Sequence, residues 1–250
     1  MKLNENMEEL RALASRPSEL QVAVYGKYNH GKSSLLNALV KKDIFKTADI
    51  RETIEIQSYT QKNITWIDTP GLDADVNEDD DNKANELLST SDVLLFVHSV
   101  NEGELDNKEV EFLKEQYKND KNIILILTQI DKIETLNTVE TAIEKQLLFM
   151  IKSIELITVS AKRALHSNSK IREQSNIGTI LNIIENNKEK LLFQREKEKS
   201  FLKEKINIKI ENRLRKLNRK QNNISTERAQ LTNEFLKDAK HVREKKHEEQ

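Results

Sequence analysis

Residues 26–33 read GKYNHGKS, and they lie between a short apolar run, VAVY, and a helix-like segment, SLLNALV. Gly26, Gly31, Lys32 and Ser33 occupy every fixed position of the pattern G-x-x-x-x-G-K-[ST]. Glycines let backbone N–H groups turn toward phosphate oxygens, and the start of the following helix adds favourable partial charge. The segment therefore predicts a strand, a phosphate-binding loop and a helix.

Two side chains of this loop have predicted roles toward a nucleotide. Lys32 is expected to neutralise the β- and γ-phosphates, and the Ser33 hydroxyl to ligate Mg²⁺. The other predicted nucleotide contacts in the loop are Asn29, His30, Gly31 and Ser34. For His30, which occupies a variable position of the pattern, a spacer role is the favoured alternative.

A second motif, DTPG at residues 68–71, ends a strand-like segment thirty-five residues after Ser33. A carboxylate at that strand end, Asp68, can hold Mg²⁺, and the N–H of Gly71 can reach the γ-phosphate. A threonine is needed between the two motifs to complete the metal shell. Thr53 is the preferred candidate because it precedes an edge strand, and Thr47 competes from the same loop.

Short apolar runs alternate with helical patterns along the first two thirds of the chain. The predicted strands are residues 20–25, 54–59, 63–68, 92–98, 122–128 and 154–159, and the predicted helices lie near 33–41, 81–90, 105–119 and 137–152. Several strands are continuously apolar, as expected for strands covered on both faces. The second and third strands are too close for a crossover helix, so they are expected to form an antiparallel hairpin. The pattern predicts an α/β doubly wound, mostly parallel six-stranded sheet with one antiparallel edge strand.

A base-selecting site is predicted at the ends of the last two strands, where open α/β sheets place ligands. Thr128-Gln129-Ile130-Asp131 follows the fifth strand. The Asp131 carboxylate can accept hydrogen bonds from N1–H and N2–H₂ of guanine, which adenine does not offer. Ser160-Ala161-Lys162 follows the sixth strand and could offer backbone N–H to the guanine oxygen.

The C-terminal quarter differs in composition from the rest. Residues 188–250 contain 19 Lys/Arg and 11 Asp/Glu, so this part is basic and the remainder acidic within a net charge of −1. A heptad of mostly apolar positions runs from Ile210 to Val242 and favours helical packing against a partner; two helices or one bent helix remain as open as a single rod. We expect an N-terminal amphipathic helix at 1–17, a nucleotide-binding domain at 18–187 and a charged helical, coiled-coil tail at 188–250.

These motifs, in this order, resemble the TRAFAC P-loop GTPases over about residues 20–190. The stretch GKYNHGKSSLLNALV is similar to the Era/MnmE group and to the bacterial dynamin-like proteins. The resemblance implies GTP/GDP binding, Mg²⁺, a Ras-like G domain and a nucleotide-driven switch in the loops holding Thr53 and residues 68–71. In some relatives an Asn at the position of Asn29 helps to bind a catalytic K⁺, so Asn29 joins Lys32, Thr53 and Gly71 as a predicted catalytic residue; the alternative is that Asn29 only shapes the loop.

Two positions depart from the better-known pattern. Leu72 follows DTPG where Ras-like proteins have a water-positioning Gln, so hydrolysis by the isolated chain is expected to be slow. Gln129 stands where a Lys is usual, which predicts weaker guanine binding with selectivity preserved by Asp131. His98, on an apolar strand, is expected to be a buried and satisfied residue rather than a base.

Three functions are compatible with the sequence: a dynamin-like GTPase that self-assembles or docks a partner protein through its tail, an Era-like GTPase that binds RNA, and a scaffold that hydrolyses GTP negligibly. RNA is less favoured because no GXXG motif follows the nucleotide-binding domain and the tail has few aromatics. The absence of cysteine excludes a disulfide framework, and no run reaches the ~18–20 apolar residues of a membrane span. A cytoplasmic protein, with a possible peripheral contact to a membrane surface, is predicted.

Overall fold

The computed structural model describes residues 17–46, 56–69, 87–132, 136–148 and 154–248, with side chains of the last helix described through residue 237. Nearly all of the predicted N-terminal helix, as well as Thr47, Thr53 and Gly71, lies outside these ranges. The chain divides into two compact units, Ala12–Glu196 and the combination of Met1–Arg11 with Lys197–Gln250.

The first of these units is built on a six-stranded sheet. Its strands are β1 (Leu20–Tyr25), β2 (Gln57–Gln61), β3 (Ile64–Asp68), β4 (Val93–Ser99), β5 (Ile123–Thr128) and β6 (Glu155–Thr158). Their order in the sheet is β2-β3-β1-β4-β5-β6, and only the β2–β3 pair is antiparallel. The doubly wound, mostly parallel sheet and its antiparallel edge strand are confirmed.

The β2–β3 hairpin turns on Lys62 and Asn63, whose φ angles are 53° and 59°. Two consecutive residues with positive φ are characteristic of the tight hairpin turn that matches the twist of the strands. Because of this turn, β3 begins at Ile64 rather than at Asn63, and β2 extends beyond Tyr59 to Gln61.

The helices of the described chain are α1 (Lys32–Val40), α2 (Asn107–Lys118), α3 (Leu136–Gln146), α4 (Ala161–Ala164), α5 (Ser169–Glu173) and α6 (Ile177–Glu248). Residues 87–90 are also helical. Neither of the two short helices, α4 and α5, was predicted from the sequence. The heptad pattern left open whether the tail forms one helix or two. In the structure it is a single helix, α6. None of the described helices is both long and apolar enough to cross a membrane.

Alternate residues of each central strand pack into different layers. Val22 and Val24 of β1 and Leu95 of β4 face a layer that includes α1 and the first turns of α6, through Ile177 and Ile180. The intervening residues face a second layer with α2 and α3; they include Ala23, Leu94 and Phe96. Each fully buried aliphatic side chain contributes about 1.5–3 kcal/mol, so both faces of the sheet are stabilised and the strand ends are held in place.

A buried ion pair fixes α6 to the amino-terminal ends of the central strands β1 and β4, opposite the end that carries the phosphate-binding loop. Arg195 Nη1 lies 3.3 Å from Asp92 Oδ2, and both side chains are almost fully buried. The same carboxylate oxygen accepts a hydrogen bond from Gln21 N at 2.7 Å, and Arg195 Nη2 donates to Ser18 O at 3.2 Å. The guanidinium therefore joins α6 to β1, to the residue before β4 and to the segment that leads into β1.

Candidate functional site: a phosphate-binding loop and a base-binding edge

The loop between β1 and α1 has the backbone of an anion site. Gly31 has φ +87° and precedes α1 without a side chain that could cap its first N–H groups. Asn29 also has a positive φ, 59°. A helix start with uncapped N–H groups attracts anions through both hydrogen bonding and partial charge. Ser33 and Ser34 lie in the first turn of α1, so the predicted contacts of the loop converge on one place.

Gly26 is required by its surroundings. A Cβ at this position would lie 2.1 Å from the backbone oxygen of Val97, and the φ of Gly26 is +149°. We expect Gly26→Ala to lower the free energy of unfolding by roughly 2–4 kcal/mol, because overpacking and backbone strain add. Gly178→Ala is the matched control, since a Cβ there meets nothing within 4 Å and alanine favours a helix. Urea denaturation of both variants tests this, and equal stabilities would contradict it.

Lys32 covers the loop. Its Nζ donates to the backbone oxygens of Gly26 at 3.0 Å and Lys27 at 2.8 Å. These contacts bring the ammonium group over the loop that leads into α1. A cation at this position can meet the β- and γ-phosphates of a nucleotide.

Ser33 and Asp68, the two described residues of the predicted Mg²⁺ site, lie in contact. Ser33 Oγ donates to Asp68 Oδ2 at 2.7 Å, and Asp68 Oδ1 is buried with no hydrogen-bond partner in the described parts of the chain. Burial raises the pKa of the Asp68 carboxyl, and the Ser33 hydrogen bond and the Lys32 charge offset this only in part. A hydroxyl and a carboxylate are the oxygen donors that Mg²⁺ prefers, so the residues present fit that ion. Thr69 Oγ1 donates to Val24 O at 2.6 Å and fixes the end of β3 beside β1.

The predicted base-binding residues are brought together at the ends of β5 and β6. Ser160 Oγ donates to Asp131 Oδ1 at 2.7 Å and, as the N-cap of α4, accepts from Arg163 N at 3.2 Å. Ala161 and Lys162 begin α4 directly after it. Thr128 Oγ1 donates to His30 O at 2.6 Å, which joins the base-binding edge to the phosphate-binding loop.

Gln129 makes a second bridge between the two loops. With φ 62°, its side chain turns back so that Nε2 donates to Asn29 O at 2.9 Å. Its Oε1 accepts from Asn101 Nδ2 at 2.6 Å and from Lys132 Nζ at 2.8 Å. Sequence reasoning missed Asn101 and Lys132, since neither belongs to a motif. These two contacts hold the side-chain amide of Gln129, which replaces the Lys that is usual at this position.

A charged cluster behind the phosphate-binding loop was also missed. Lys27 Nζ lies 2.8 Å from Asp106 and within 4 Å of Glu102 and Glu109. Burial lowers the pKa of Lys27, but the hydrogen bond to Asp106 and the neighbouring carboxylates outweigh it and hold the pKa above its usual value. Asp106 and Glu109 form a capping box at the start of α2. The only sequence signal for it was an Asp followed three residues later by a Glu near the start of a predicted helix.

The two histidines of this region are buried. His30 Nε2 lies 3.0 Å from Glu102 Oε1, and His98 Nε2 lies 3.0 Å from Gly103 O. The prediction that His98 is a buried, satisfied residue is confirmed. His30, at the spacer position of the loop, places its ring behind the loop and 5.1 Å from the ring of His98, centroid to centroid.

The strand order of the sheet, the glycine-rich loop with its lysine, and the Asp131 carboxylate at the carboxyl end of β5 are the arrangement of a Ras-like G domain. Residues 21–129 match the family described as 50S ribosome-binding GTPase. GTPases of this family typically use Mg²⁺ with the nucleotide.

The chain is similar to proteins longer than itself. It is 42% identical over 173 residues to an uncharacterised protein of Acinetobacter baylyi, a match that covers 66% of this chain and 41% of that one. It is 31% identical over 153 residues to the GTPase Era of Buchnera aphidicola subsp. Schizaphis graminum, covering 57% and 51%. The chain therefore spans about half the length, or less, of these relatives.

A solved structure of an oligomerised bacterial dynamin pair, described as sensing and tethering membranes at long range, has the same fold over most of the chain. The TM-score is 0.59 at 20% identity, covering 97% of this chain and 51% of that one. At this identity the likeness concerns the fold alone.

Proposed function

We propose that this protein binds GTP with Mg²⁺, hydrolyses it to GDP and phosphate, and acts as a dynamin-like assembly GTPase or partner-regulated switch. The hydrolytic part rests on one observation above all: the Ser33 hydroxyl and the Asp68 carboxylate meet at 2.7 Å beside Lys32, with a buried Asp68 oxygen that has no described partner. A buried carboxylate oxygen without a partner is costly, and a cation there removes that cost.

In this proposal each residue of the phosphate site has one task. Lys32 neutralises charge on the β- and γ-phosphates, Ser33 and Asp68 hold Mg²⁺, and Thr53 completes the metal shell. Gly71 N–H contacts the γ-phosphate. Mg²⁺ held by these residues would supply positive charge against the negative charge that develops on the phosphates during hydrolysis.

The base site selects guanine through Asp131. Its carboxylate accepts from N1–H and N2–H₂, and the Ser160 hydroxyl fixes the carboxylate in place at 2.7 Å. Backbone N–H groups of Ala161 and Lys162, in the first turn of α4, donate hydrogen bonds to the guanine oxygen. Two hydrogen bonds hold the base site against the phosphate-binding loop: Gln129 Nε2 donates to Asn29 O, and Thr128 Oγ1 donates to His30 O.

Fast hydrolysis needs a catalytic group beyond the residues named above, because Leu72 offers no group that could position the attacking water. We propose that K⁺ near Asn29, or groups from a second subunit, supply what is missing. A cation supplied in this way is worth about 10³–10⁵ in rate.

The tail supports assembly or docking as the role of the switch. Apolar heptad residues of α6 are exposed in the single chain, with more than half of the surface of Leu214, Leu217 and Ile224 accessible. Such a stripe on a charged helix is typical of packing against another helix. The fold shared with the dynamin pair favours this reading, and the identity to Era keeps RNA-associated assembly as the second candidate.

GTP turnover at several protein concentrations, in K⁺ and in Na⁺, tests the proposal. We expect turnover per molecule to rise severalfold with concentration and to be faster in K⁺. The double variant Leu214→Asn with Leu217→Asn should lose the concentration dependence, while Asn212→Ala with Asn218→Ala, on the same helix but off the stripe, should keep it.

The same assay with additions separates the alternatives. Stimulation by RNA, but not by concentration or by anionic liposomes, would favour the Era-like function and contradict the dynamin-like one. A near-zero rate in every condition, with GTP still bound, would leave only the scaffold.

A further inference from the structure

Three side chains from three different elements converge behind the phosphate-binding loop. His30 comes from the loop, His98 from the end of β4 and Glu109 from the first turn of α2, and all three are buried. One ligand atom of each lies within 4.8 Å of the other two. Within the residues described by the structure, no other group of three His, Cys, Asp or Glu side chains has this arrangement.

The outer nitrogen of each imidazole faces an acceptor. His98 Nε2 is 3.0 Å from the carbonyl oxygen of Gly103, and His30 Nε2 is 3.0 Å from Glu102 Oε1. A carbonyl can only accept, so His98 Nε2 carries its hydrogen, whereas His30 Nε2 is buried and lacks a well-aligned hydrogen bond despite its short distance to Glu102. In the neutral tautomer with its hydrogen on Nε2, an imidazole offers Nδ1 to a metal ion.

Both Nδ1 atoms point at oxygens that are themselves acceptors. Glu109 Oε1 lies 2.9 Å from His98 Nδ1 and 3.8 Å from His30 Nδ1, and Val97 O lies 3.2 Å from His30 Nδ1. The other oxygen of Glu109 is already engaged, because it accepts from Asp106 N at 2.9 Å. Hydrogen bonds join these atoms in the structure, and a metal ion bound by both Nδ1 atoms and Glu109 Oε1 would displace the hydrogens that they share.

The charges around the cluster favour a further cation. Lys27 Nζ lies within 4 Å of the carboxylates of Glu102, Asp106 and Glu109, so three acidic groups meet this one ammonium. A divalent ion would balance the charge of this cluster.

We propose that His30 Nδ1, His98 Nδ1 and Glu109 Oε1 bind a zinc ion that ties the phosphate-binding loop to β4 and α2, with Val97 O as a neighbouring oxygen. Two nitrogens and one carboxylate oxygen are donors that Zn²⁺ accepts, and imidazole selects it over Mg²⁺. The Nε2–H contacts to Gly103 O and Glu102 are the backbone and carboxylate acceptors that typically orient metal-bound histidines. This site is separate from the Mg²⁺ site and does not depend on GTP hydrolysis.

Zinc binding to the chelator-treated full-length chain tests the proposal. The titration uses ZnCl₂ with a chromophoric chelator as competitor, in excess Mg²⁺ so that oxygen-only sites are filled. We expect one Zn²⁺ per chain, loss of that equivalent in His98→Gln, and about tenfold weaker binding in Glu102→Gln, which removes only an orienting contact. His166→Gln is the matched control, since His166 is exposed and distant in sequence from the cluster.

The Co²⁺-loaded wild-type chain gives a second readout that does not require any variant to fold. We expect the strong visible absorption of four-coordinate cobalt, displaced by one equivalent of Zn²⁺. Three results would overturn the proposal: no zinc binding tighter than about 100 µM, unchanged stoichiometry in a folded His98→Gln, or only the weak spectrum of hydrated cobalt. A proton shared by the cluster in place of a metal would give the first and third of these.

Discussion

The Lys32→Ala variant is expected to bind GTP about 100-fold more weakly than the wild-type chain and to hydrolyse it at least 100-fold more slowly. Each hydrogen bond to a charged group contributes about 1.5–3 kcal/mol, and Lys32 is proposed to serve two phosphates. A donor that meets charge developing in the transition state adds about 10²–10³ in rate. Titration of a fluorescent GTP analogue and single-turnover hydrolysis measure the two effects separately.

Lys190→Ala is the control for loss of a positive charge, because Lys190 is exposed on α6. Lys32 also donates to Gly26 O and Lys27 O, so thermal unfolding of each variant must accompany the binding data. A folded Lys32→Ala chain with near wild-type GTP affinity would show that the loop does not bind phosphate as proposed.

The Asp131→Asn variant is expected to lose GTP affinity by about 10²–10⁴ and to gain affinity for xanthosine triphosphate. Two hydrogen bonds to a carboxylate together contribute about 3–6 kcal/mol, and an amide cannot accept both. Xanthine carries an oxygen in place of the 2-amino group of guanine, so the new amide N–H₂ can donate to it. Competition of GTP, ATP and xanthosine triphosphate against one fluorescent ligand measures the change in selectivity.

Asp120→Asn serves as the matched control for this substitution. Asp120 has φ 53° in the turn after α2, where asparagine is equally well accommodated, and selectivity should not change. Equal losses for GTP and xanthosine triphosphate in Asp131→Asn would indicate general damage to the edge of the sheet, and unchanged affinities would place base recognition elsewhere.

Much of the nucleotide site could be predicted because its motifs are local. The loop at 26–33, Asp68 and the tetrapeptide ending in Asp131 each lie at the end of a recognisable apolar strand, and the sheet brings such ends to one edge. The antiparallel hairpin followed from the short distance between its strands. The turn at Lys62 and Asn63 did not, since these residues lack the Asn-Gly pattern typical of two-residue hairpin loops.

The contacts that join these motifs could not be predicted. Gln129 bonds Asn29 across 100 positions and Asn101 across 28, and Glu102 meets His30 only after β4 has paired with β1. No local periodicity encodes such pairs, because they depend on how the strand order positions the loops. The buried histidine pair is the clearest case: each histidine alone looks like an ordinary residue, and only the fold brings them together with Glu109.

The ion pair between Arg195 and Asp92 affects how the unit that contains the sheet can be expressed by itself. A fragment that ends soon after the last nucleotide motif would keep every residue proposed to bind GTP, yet it would leave the carboxylate of Asp92 buried without its cation. Removing one partner of such a pair typically costs about 3–5 kcal/mol, a large share of the stability of a single domain. The shortest stable fragment therefore includes the turns of α6 up to Arg195, and its end point is set by a buried charge rather than by the last nucleotide-binding motif.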